Sequence, residues 1–507
     1  MEWLSRVLVA LVVMVMGQSA VAADRWLKAT TPHFNVYGAI DEPELREAAS
    51  DLERYHRLLA GVMRVEDKPQ AARLDIYLVA QRDDLEKVEP EVDAVGFYRA
   101  GPGGRAALAT WNASDREQAR HVLQHEYAHH FMAQNFAWPY PLWFREGFAE
   151  YFGATVERGD KLQLGGPVAT RVPSLERQSW ITLDALLDAR MDSPRLGMVY
   201  AQGWLLTHYL LGDPERAGQL RAYFAALRAG QPEPDAFVAA FKTDKTSLQR
   251  QLTSYAKSGM TMTVVPVAPL VAEDVTVTAL SPAYGDLMLD SLRLIRGRRG
   301  ETDRQASDIV KAIAAKAARY PDDPFATRTL AHAQQAFGDP TVAVELLKGT
   351  PALQTDPYAQ YLLGVAWQTV GRRDPARLAE TSGESRKALA RALKLDPTFY
   401  PALYRYARTQ PQDSDAALDA LVGAHLLAPQ VEQIRIDAVI ALLGKGEYDS
   451  AAGLIAPLAQ SPHLSLNVAV AQVLREKAIA HQGAGADQAL VAEARKRLEV
   501  LTAAAKG

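Results

Sequence analysis

The chain has 507 residues, 48% of them hydrophobic and 23% charged, with a formal net charge of −4. This length exceeds what one hydrophobic core supports, so we expect about three domains. Because the net charge is close to zero, there is no reason to expect nucleic acid or an anionic surface as a partner. Because there is no cysteine, disulfides, thiolate zinc sites and a cysteine nucleophile are excluded. Any metal ion would have to be held by imidazole and carboxylate groups.

The N-terminus is typical of a secretory signal peptide. Arg6 precedes an apolar run over residues 7–16, and Ala-Val-Ala at 20–22 offers a cleavage site at Ala22. An uncleaved anchor helix is the alternative, but a run this short spans a bilayer poorly. We therefore expect residues 1–22 to be removed. The mature protein would be exported, in a bacterial-type periplasm, without a transmembrane anchor.

Residues 24–261 have the pattern of an α+β domain that begins with a small mixed sheet. Alternating apolar residues predict strands over 26–37 and 74–79, and helical spacing predicts a helix over 44–63. Two β-prone segments flank Gly101-Pro102-Gly103-Gly104, which predicts a hairpin over residues 95–110. Helices follow this sheet.

A helix beginning at Asp115 carries the most specific motif of the chain, an HExxH at residues 125–129. On a helix, His125 and His129 lie one turn apart on the same face, so both imidazoles can bind one metal ion. Glu126 lies beside that face, where a general base would stand. A slipped pair of His121 with His125 is the alternative, but it lacks the adjacent glutamate.

A catalytic zinc ion needs a third protein ligand besides two histidines. After a proline-punctuated turn at residues 138–141, a second helical stretch contains Glu146 and Glu150. If this helix runs antiparallel to the motif helix, Glu146 comes opposite the two histidines. Glu150, one turn further on, would accept a hydrogen bond from a ligand imidazole and fix its orientation.

Two segments of the chain resemble a known family. Residues 145–150, Arg-Glu-Gly-Phe-Ala-Glu, resemble the third-ligand helix of gluzincin metallopeptidases, especially the aminopeptidase N and leukotriene-A4 hydrolase class. Residues 200–203, Tyr-Ala-Gln-Gly, are similar to that class's Tyr-Glu-Lys-Gly. With its helical tail the chain also resembles the peptidase MA-like group of exported proteins.

The resemblance implies a zincin-like α+β catalytic domain that hydrolyses peptide or protein substrates. It implies Zn²⁺ bound by His125, His129 and Glu146, with Glu126 as general base and Tyr200 as the donor to the oxyanion. The spacing between the HExxH motif and the glutamate is shorter than in the aminopeptidase class. The Gly-x-Met-Glu-Asn segment that captures a substrate amine there is missing, so endopeptidase and aminopeptidase action are both open.

From about Ser281 onward the sequence changes to alanine- and leucine-rich helices with short turns. Similar turns recur at prolines 324, 357, 397, 429 and 462. This spacing is close to the period of about 34 residues in tetratricopeptide repeats. We therefore predict an all-α tetratricopeptide-repeat solenoid over 281–507, with a generic helical bundle as the alternative. The longest step predicts a loop insertion around 371–385, and residues 262–280, rich in valine and proline, predict a linker.

Two functions from different classes are consistent with these patterns. The first is an exported zinc-dependent peptidase whose repeat domain recruits protein substrates or partners. The second is a repeat-scaffold adaptor whose hydrolase-like domain is not catalytic, or acts on a bond other than a peptide. The intact Glu126 favours catalysis, because an inactive domain has no need of a general base.

Overall fold

The structure is a computed structural model that describes residues 25–504. Within that range it leaves out 67–71, 91–94, 113, 115, 137–139, 159–160, 191–192, 261, 267–273, 412 and 462–464. The predicted signal peptide, Asp115 and the first half of the predicted turn at 138–141 lie outside the described residues. Among the helices that are described, none combines the length and the apolar character needed to cross a membrane.

The N-terminal part combines strands with helices. Its strands are β1 (Leu27–Thr30), β2 (Phe34–Gly38), β3 (Leu74–Val79), β4 (Gly96–Gly101), β5 (Gly104–Thr110), β6 (Val156–Arg158), β7 (Lys161–Leu164), β8 (Thr263–Pro266) and β9 (Thr276–Ala279). Its helices are α1 (Glu42–Met63), α2 (Arg82–Val88), α3 (Arg116–Asn135), α4 (Leu142–Gly153), α5 (Val172–Arg177), α6 (Leu183–Leu187), α7 (Leu196–Leu211), α8 (Pro214–Arg228), α9 (Glu233–Phe241) and α10 (Lys245–Ser258). The predicted strand over 26–37 is two antiparallel strands, β1 and β2.

The main sheet is mixed and has the strand order β4-β5-β3-β2-β1-β9. Strands β2, β3 and β5 are parallel, whereas β1, β4 and β9 run antiparallel to their neighbours. The predicted hairpin is β4 and β5, so β4 forms one edge of this sheet. A second, antiparallel sheet has the order β6-β7-β8.

The prediction of a linker over 262–280 is wrong for the residues of this segment that the structure describes. Strand β8 pairs with β7, and β9 pairs with β1, so both segments complete sheets of the N-terminal part. Valine and threonine are the residues that a pleated, half-buried surface favours. Pro266 fits because β8 is an edge strand, where a missing backbone donor costs no ladder hydrogen bond.

The main sheet is covered on both faces. Along β3, Leu74, Ile76 and Leu78 point into a core shared with the motif helix α3. The alternate residues, Tyr77 and Val79, point into a second core. This alternation follows from the two-residue period of a strand.

The second core is shared with the helices that follow residue 281. Met288, Leu292 and Phe325 belong to it together with residues of the sheet. Arg105 on β5 also donates to the carbonyl of Leu427, at 3.2 Å. The C-terminal helices therefore cover the face of the sheet that lies opposite the motif helix.

The described residues after 281 are helical, which confirms the coarse prediction of a small mixed sheet followed by a helical C-terminal region. Each helix packs against the next along the chain. We name this set the helical region: α11 (Ala283–Arg296), α12 (Asp303–Ala317), α13 (Pro324–Phe337), α14 (Pro340–Gly349), α15 (Pro357–Arg373), α16 (Leu378–Leu395), α17 (Tyr400–Ala407), α18 (Asp415–Leu427), α19 (Glu432–Gly444), α20 (Tyr448–Ala459), α21 (Leu466–Ile479) and α22 (Asp487–Ala504).

Two of the recurring Asp-Pro turns are helix N-termini. Asp323 accepts hydrogen bonds from the first backbone donors of α13, and Asp356 does the same for α15. Proline at the first helical position is favoured because that position needs no donor. The predicted loop insertion at 371–385 is wrong, since these residues extend α15 and α16 around a 3-10 turn at Pro375–Arg377.

Helices α4 and α7 approach each other backbone to backbone. A Cβ at Gly147 would fall well inside contact distance of the Gly203 carbonyl and the Thr207 hydroxyl. A Cβ at Gly203 would lie 2.6 Å from the Trp143 carbonyl oxygen. The two glycines of the 145–150 and 200–203 segments therefore allow these helices to pack closely.

We expect Gly147→Ala to destabilise the fold by about 1–3 kcal/mol, because neither backbone can move aside without disturbing the core. Urea unfolding followed by circular dichroism measures this loss. The matched control is Gly197→Ala on α7, where an added Cβ meets nothing within 4 Å. The control should be neutral or slightly stabilising, since alanine is the better helix former. Equal losses in both variants would contradict the close-packing explanation.

Candidate metal centre

Helices α3 and α4 run antiparallel and bring the predicted site residues together. His129 faces Glu146, and His125 lies between Glu146 and Glu150. One turn earlier, His121 Nδ1 donates to the Gly153 carbonyl, 2.9 Å away. Histidines earlier on α3 thus face residues later on α4, which is the register of an antiparallel pair.

Three ligand atoms form a nearly equilateral triangle. The His125 and His129 Nε2 atoms are 3.2 Å apart. Glu146 Oε2 lies 3.3 Å from His129 Nε2 and 3.6 Å from His125 Nε2. Tetrahedral ligands at about 2.0–2.1 Å from a zinc ion are separated by about 3.3–3.4 Å. The triangle therefore has the dimensions of one face of a tetrahedral zinc site.

Glu146 is buried, with only 3% of its surface exposed. Its Oε2 atom has no hydrogen-bond partner among the described residues. Burial would raise the pKa of Glu146, but the neighbouring imidazoles of His129 and His125 hold it well below its usual range. A buried carboxylate oxygen without a donor, facing two imidazole nitrogens, is suited to binding a cation.

Glu150 lies on the opposite side of the His125 ring. Its Oε1 is 3.6 Å from His125 Nδ1, whereas Glu146 faces Nε2. Arg171 donates to the same oxygen through two nitrogens, at 3.0 and 2.7 Å. Burial opposes ionisation of Glu150, but the hydrogen bond from His121 and the charges of His125 and Arg171 lower its pKa to about 2.

The described residues also contain the slipped group, His121, His125 and Glu150. In this group the Glu150 carboxylate is already held by Arg171, and His121 is engaged with the Gly153 carbonyl. The two groups use opposite nitrogens of His125, so they are compatible with each other. Glu150 can orient His125 while the triangle binds an ion.

Tyr200 lies on α7 beside the same carboxylates. Burial and the neighbouring Glu146 carboxylate raise the pKa of Tyr200 above its ordinary value. The Arg171 guanidinium lies 5.0 Å from the centre of its ring. The phenol therefore keeps its proton at neutral pH and can donate a hydrogen bond near the triangle.

Glu126 is half-buried on the motif helix. Its carboxylate contributes to the raised pKa of His125 and to that of Tyr98 on the edge strand β4, whose pKa burial raises to about 12. Glu126 is therefore within electrostatic range of both His125 and Tyr98. The Tyr98 hydroxyl is 3.1 Å from Nδ1 of the buried His130.

A cavity of about 260 Å³ lies next to the triangle, between the motif helix and the helical region. His129 and Arg145 line one wall, and Gln430 and Arg435 line the other. The two parts touch where Gln134 Nε2 donates to Gln430 Oε1, at 3.0 Å. The helical region therefore borders the candidate metal centre as well as the opposite face of the sheet.

Sequence reasoning missed Arg171 and Tyr98. Arg171 precedes the short helix α5 and Tyr98 lies on an edge strand, and neither belongs to a motif with a fixed spacing from the HExxH. Only the tertiary fold brings them to the site. A lone arginine in a loop has no linear signal that separates it from other arginines.

Comparisons with known proteins do not identify a family for this chain. No family model matches it, and no curated protein matches it. A solved structure described as "Crystal structure of MamA" is similar at 20% identity and a TM-score of 0.25. The match covers 35% of this chain and 89% of that one. A likeness at this TM-score does not bear on fold or function.

We expect Arg171→Met to lower the free energy of unfolding by about 2–4 kcal/mol in the presence of a chelator. The substitution leaves the buried Glu150 carboxylate without its cation, and breaking a buried pair costs about 3–5 kcal/mol. The loss should be smaller here because the Arg171 side chain is 26% exposed. Urea titration measures it, with Arg190→Met at an exposed arginine as the control. A loss no larger than that of the control would mean that water replaces the guanidinium.

Proposed function

We propose that this protein is an exported zinc-dependent peptidase. Its catalytic domain would be of the zincin type and its helical region a tetratricopeptide-repeat array. His125, His129 and Glu146 would hold the zinc ion. The observation that carries the proposal is the triangle of ligand atoms, with sides of 3.2, 3.3 and 3.6 Å around a buried, unpartnered carboxylate oxygen.

A zinc ion at this site would supply a Lewis acid for the substrate carbonyl and lower the pKa of water to about 7. Glu126 is the acid of the HExxH motif, and as general base it takes the proton of the attacking water and returns it to the leaving amine. Tyr200 donates a hydrogen bond to the developing oxyanion. Glu150, fixed by Arg171, holds the His125 ring in the orientation that presents Nε2.

The substrate would be a peptide or protein segment that enters beside the helical region. The cavity next to His129 has one wall from the motif region and one from α19 and the turn before it. Arg145 and Arg435 are the cations on these walls, so the helical region would take part in substrate binding directly. This arrangement supports substrate recruitment by the helical region.

The first test is the zinc content of the purified mature protein. We expect about one zinc ion per chain and its near-complete loss in Glu146→Ala, because two imidazoles alone bind zinc weakly. Metal analysis by mass spectrometry after exhaustive dialysis gives the ratio. Glu176→Ala, an exposed carboxylate on α5, should keep its zinc. A folded wild-type protein without zinc would contradict the proposal and favour the adaptor function.

Glu126→Gln should retain zinc and lose peptide hydrolysis by a factor of about 10²–10⁴, the usual contribution of a general base. Cleavage of a quenched fluorescent peptide library measures the activity, and metal analysis of the same sample shows that the site is intact. Glu117→Gln, at an exposed position of the same helix, should cleave as the wild type does. Undiminished cleavage by Glu126→Gln would exclude Glu126 as the base.

A further inference from the structure

A second cavity, of about 480 Å³, lies away from the metal centre, between the β4–β5 hairpin and the helical region. We name it the arginine cavity. The hairpin tip at Gly101–Gly104, the C-terminal end of α11 and side chains of α13, α15 and α17 surround it. Six arginines line it: Arg99, Arg296, Arg298, Arg299, Arg372 and Arg405. None of the described lining residues is aspartate or glutamate.

On one side of the arginine cavity, one carboxylate forms ion pairs with several guanidinium groups. Glu89 lies 3.3 Å from Arg99 and 3.6 Å from both Arg296 and Arg299. Arg296 has a second partner in Glu301, at 2.7 Å. Burial lowers the pKa of Arg99, and the charges of Arg299 and Arg296 lower it further, against the pull of Glu89. Arg298 is paired with Asp303, at 2.7 Å, so the four arginines on this side face three carboxylates, Glu89, Glu301 and Asp303.

On the other side, two arginines have no carboxylate partner in the part of the chain that is described. Arg372 donates to the Thr369 hydroxyl at 3.0 Å and is the neighbour of Arg405. The Nε atom of Arg405 is buried and has no hydrogen-bond partner. Burial and the nearby guanidinium groups, Arg405 first among them, lower the pKa of Arg372. Such a cluster destabilises the free protein slightly and favours an anion between its members.

The size and walls of the cavity indicate more than a single small ion. Pockets of about 300–1,000 Å³ hold ligands the size of a cofactor or metabolite. Tyr358 and Tyr361 line the same space and offer ring surfaces beside the guanidinium groups. Planar guanidinium groups bind phosphate oxygens in pairs, which is the geometry that phosphorylated ligands require.

We propose that the arginine cavity is a binding site for a phosphorylated ligand with at least two anionic groups, held between the hairpin and the helical region. The ligand's phosphates contact Arg372 and Arg405 on one wall and Arg296 and Arg299 on the other. Two sources share this chemistry: a free phosphorylated small molecule and the headgroup of an anionic phospholipid.

Titration calorimetry with inorganic pyrophosphate tests the site in the full-length mature protein. We expect saturable binding that weakens as salt is added, and at least about tenfold weaker binding in Arg372→Gln/Arg405→Gln, because each lost charge-assisted contact contributes about a factor of ten. Arg391→Gln, an exposed arginine of α16 outside the cavity, is the matched control and should bind as the wild type does.

Co-sedimentation with phosphatidylcholine vesicles, with and without phosphatidic acid, distinguishes the two sources. Binding to the acidic vesicles that the double variant loses points to a lipid headgroup. Binding of pyrophosphate without vesicle binding points to a free ligand. Binding of neither probe by the wild type overturns the proposal, as does equal weakening in the double variant and the control.

The same variants separate a ligand site from a structural cluster. Removing two unneutralised charges should leave the urea midpoint of the double variant equal to that of the wild type or higher, in the absence of phosphate. Added pyrophosphate should raise the midpoint of the wild type and not that of the double variant. A lower midpoint without ligand would show that these arginines stabilise the fold, and would count against the site.

Discussion

The close contact of α4 and α7 at Gly147 and Gly203 is the constraint on which the candidate site depends. These helices carry Glu146 and Tyr200, and each residue lies within one helical turn of a contact glycine. Because the backbones touch, neither helix can slide or rotate without a clash, so the carboxylate and the phenol are held at a fixed separation. The glycines beside the functional residues are therefore part of the geometry of the site, although they have no side chain to contribute.

A second restraint on the triangle of ligand atoms comes from Glu150, on the side of the His125 ring that faces away from Glu146. Glu150 is almost fully buried between His121, His125 and Arg171, and each of these partners belongs to a different helical turn or loop. A buried carboxylate that accepts from several donors is expensive to disturb, so it fixes the His125 ring and the Arg171 loop together. Arg171 in turn packs over Tyr200. The triangle is thus held through α4 from one side and through the Arg171 loop from the other.

The sequence predicted what depends on short-range geometry. The spacing of His125 and His129 within one helix, and the position of Glu146 on the next, required only helical periodicity and one reversal of the chain. Arg171, Tyr98 and the strands β8 and β9 were missed, because their partners are far away in the chain. The composition of residues 262–280, rich in valine and proline, predicts a linker, whereas the strands that pair with these segments, β7 and β1, lie far earlier in the chain. Pairing between distant segments leaves no periodic signal in either one.

The helical region has less open surface for a partner than a separate adaptor domain would have. Its first helices bury Met288 and Phe325 against the main sheet, so their inner side is already occupied by the same chain. Cavities between the two parts lie beside the candidate metal centre, at the hairpin, and along the sheet near Asp75, where Met288 and Phe325 line a space of about 670 Å³. A partner that engaged any of these cavities would contact both parts of the protein at once. Strand β4 borders both cavities, because Tyr98 lines the one beside the candidate metal centre and its neighbour Arg99 lines the arginine cavity.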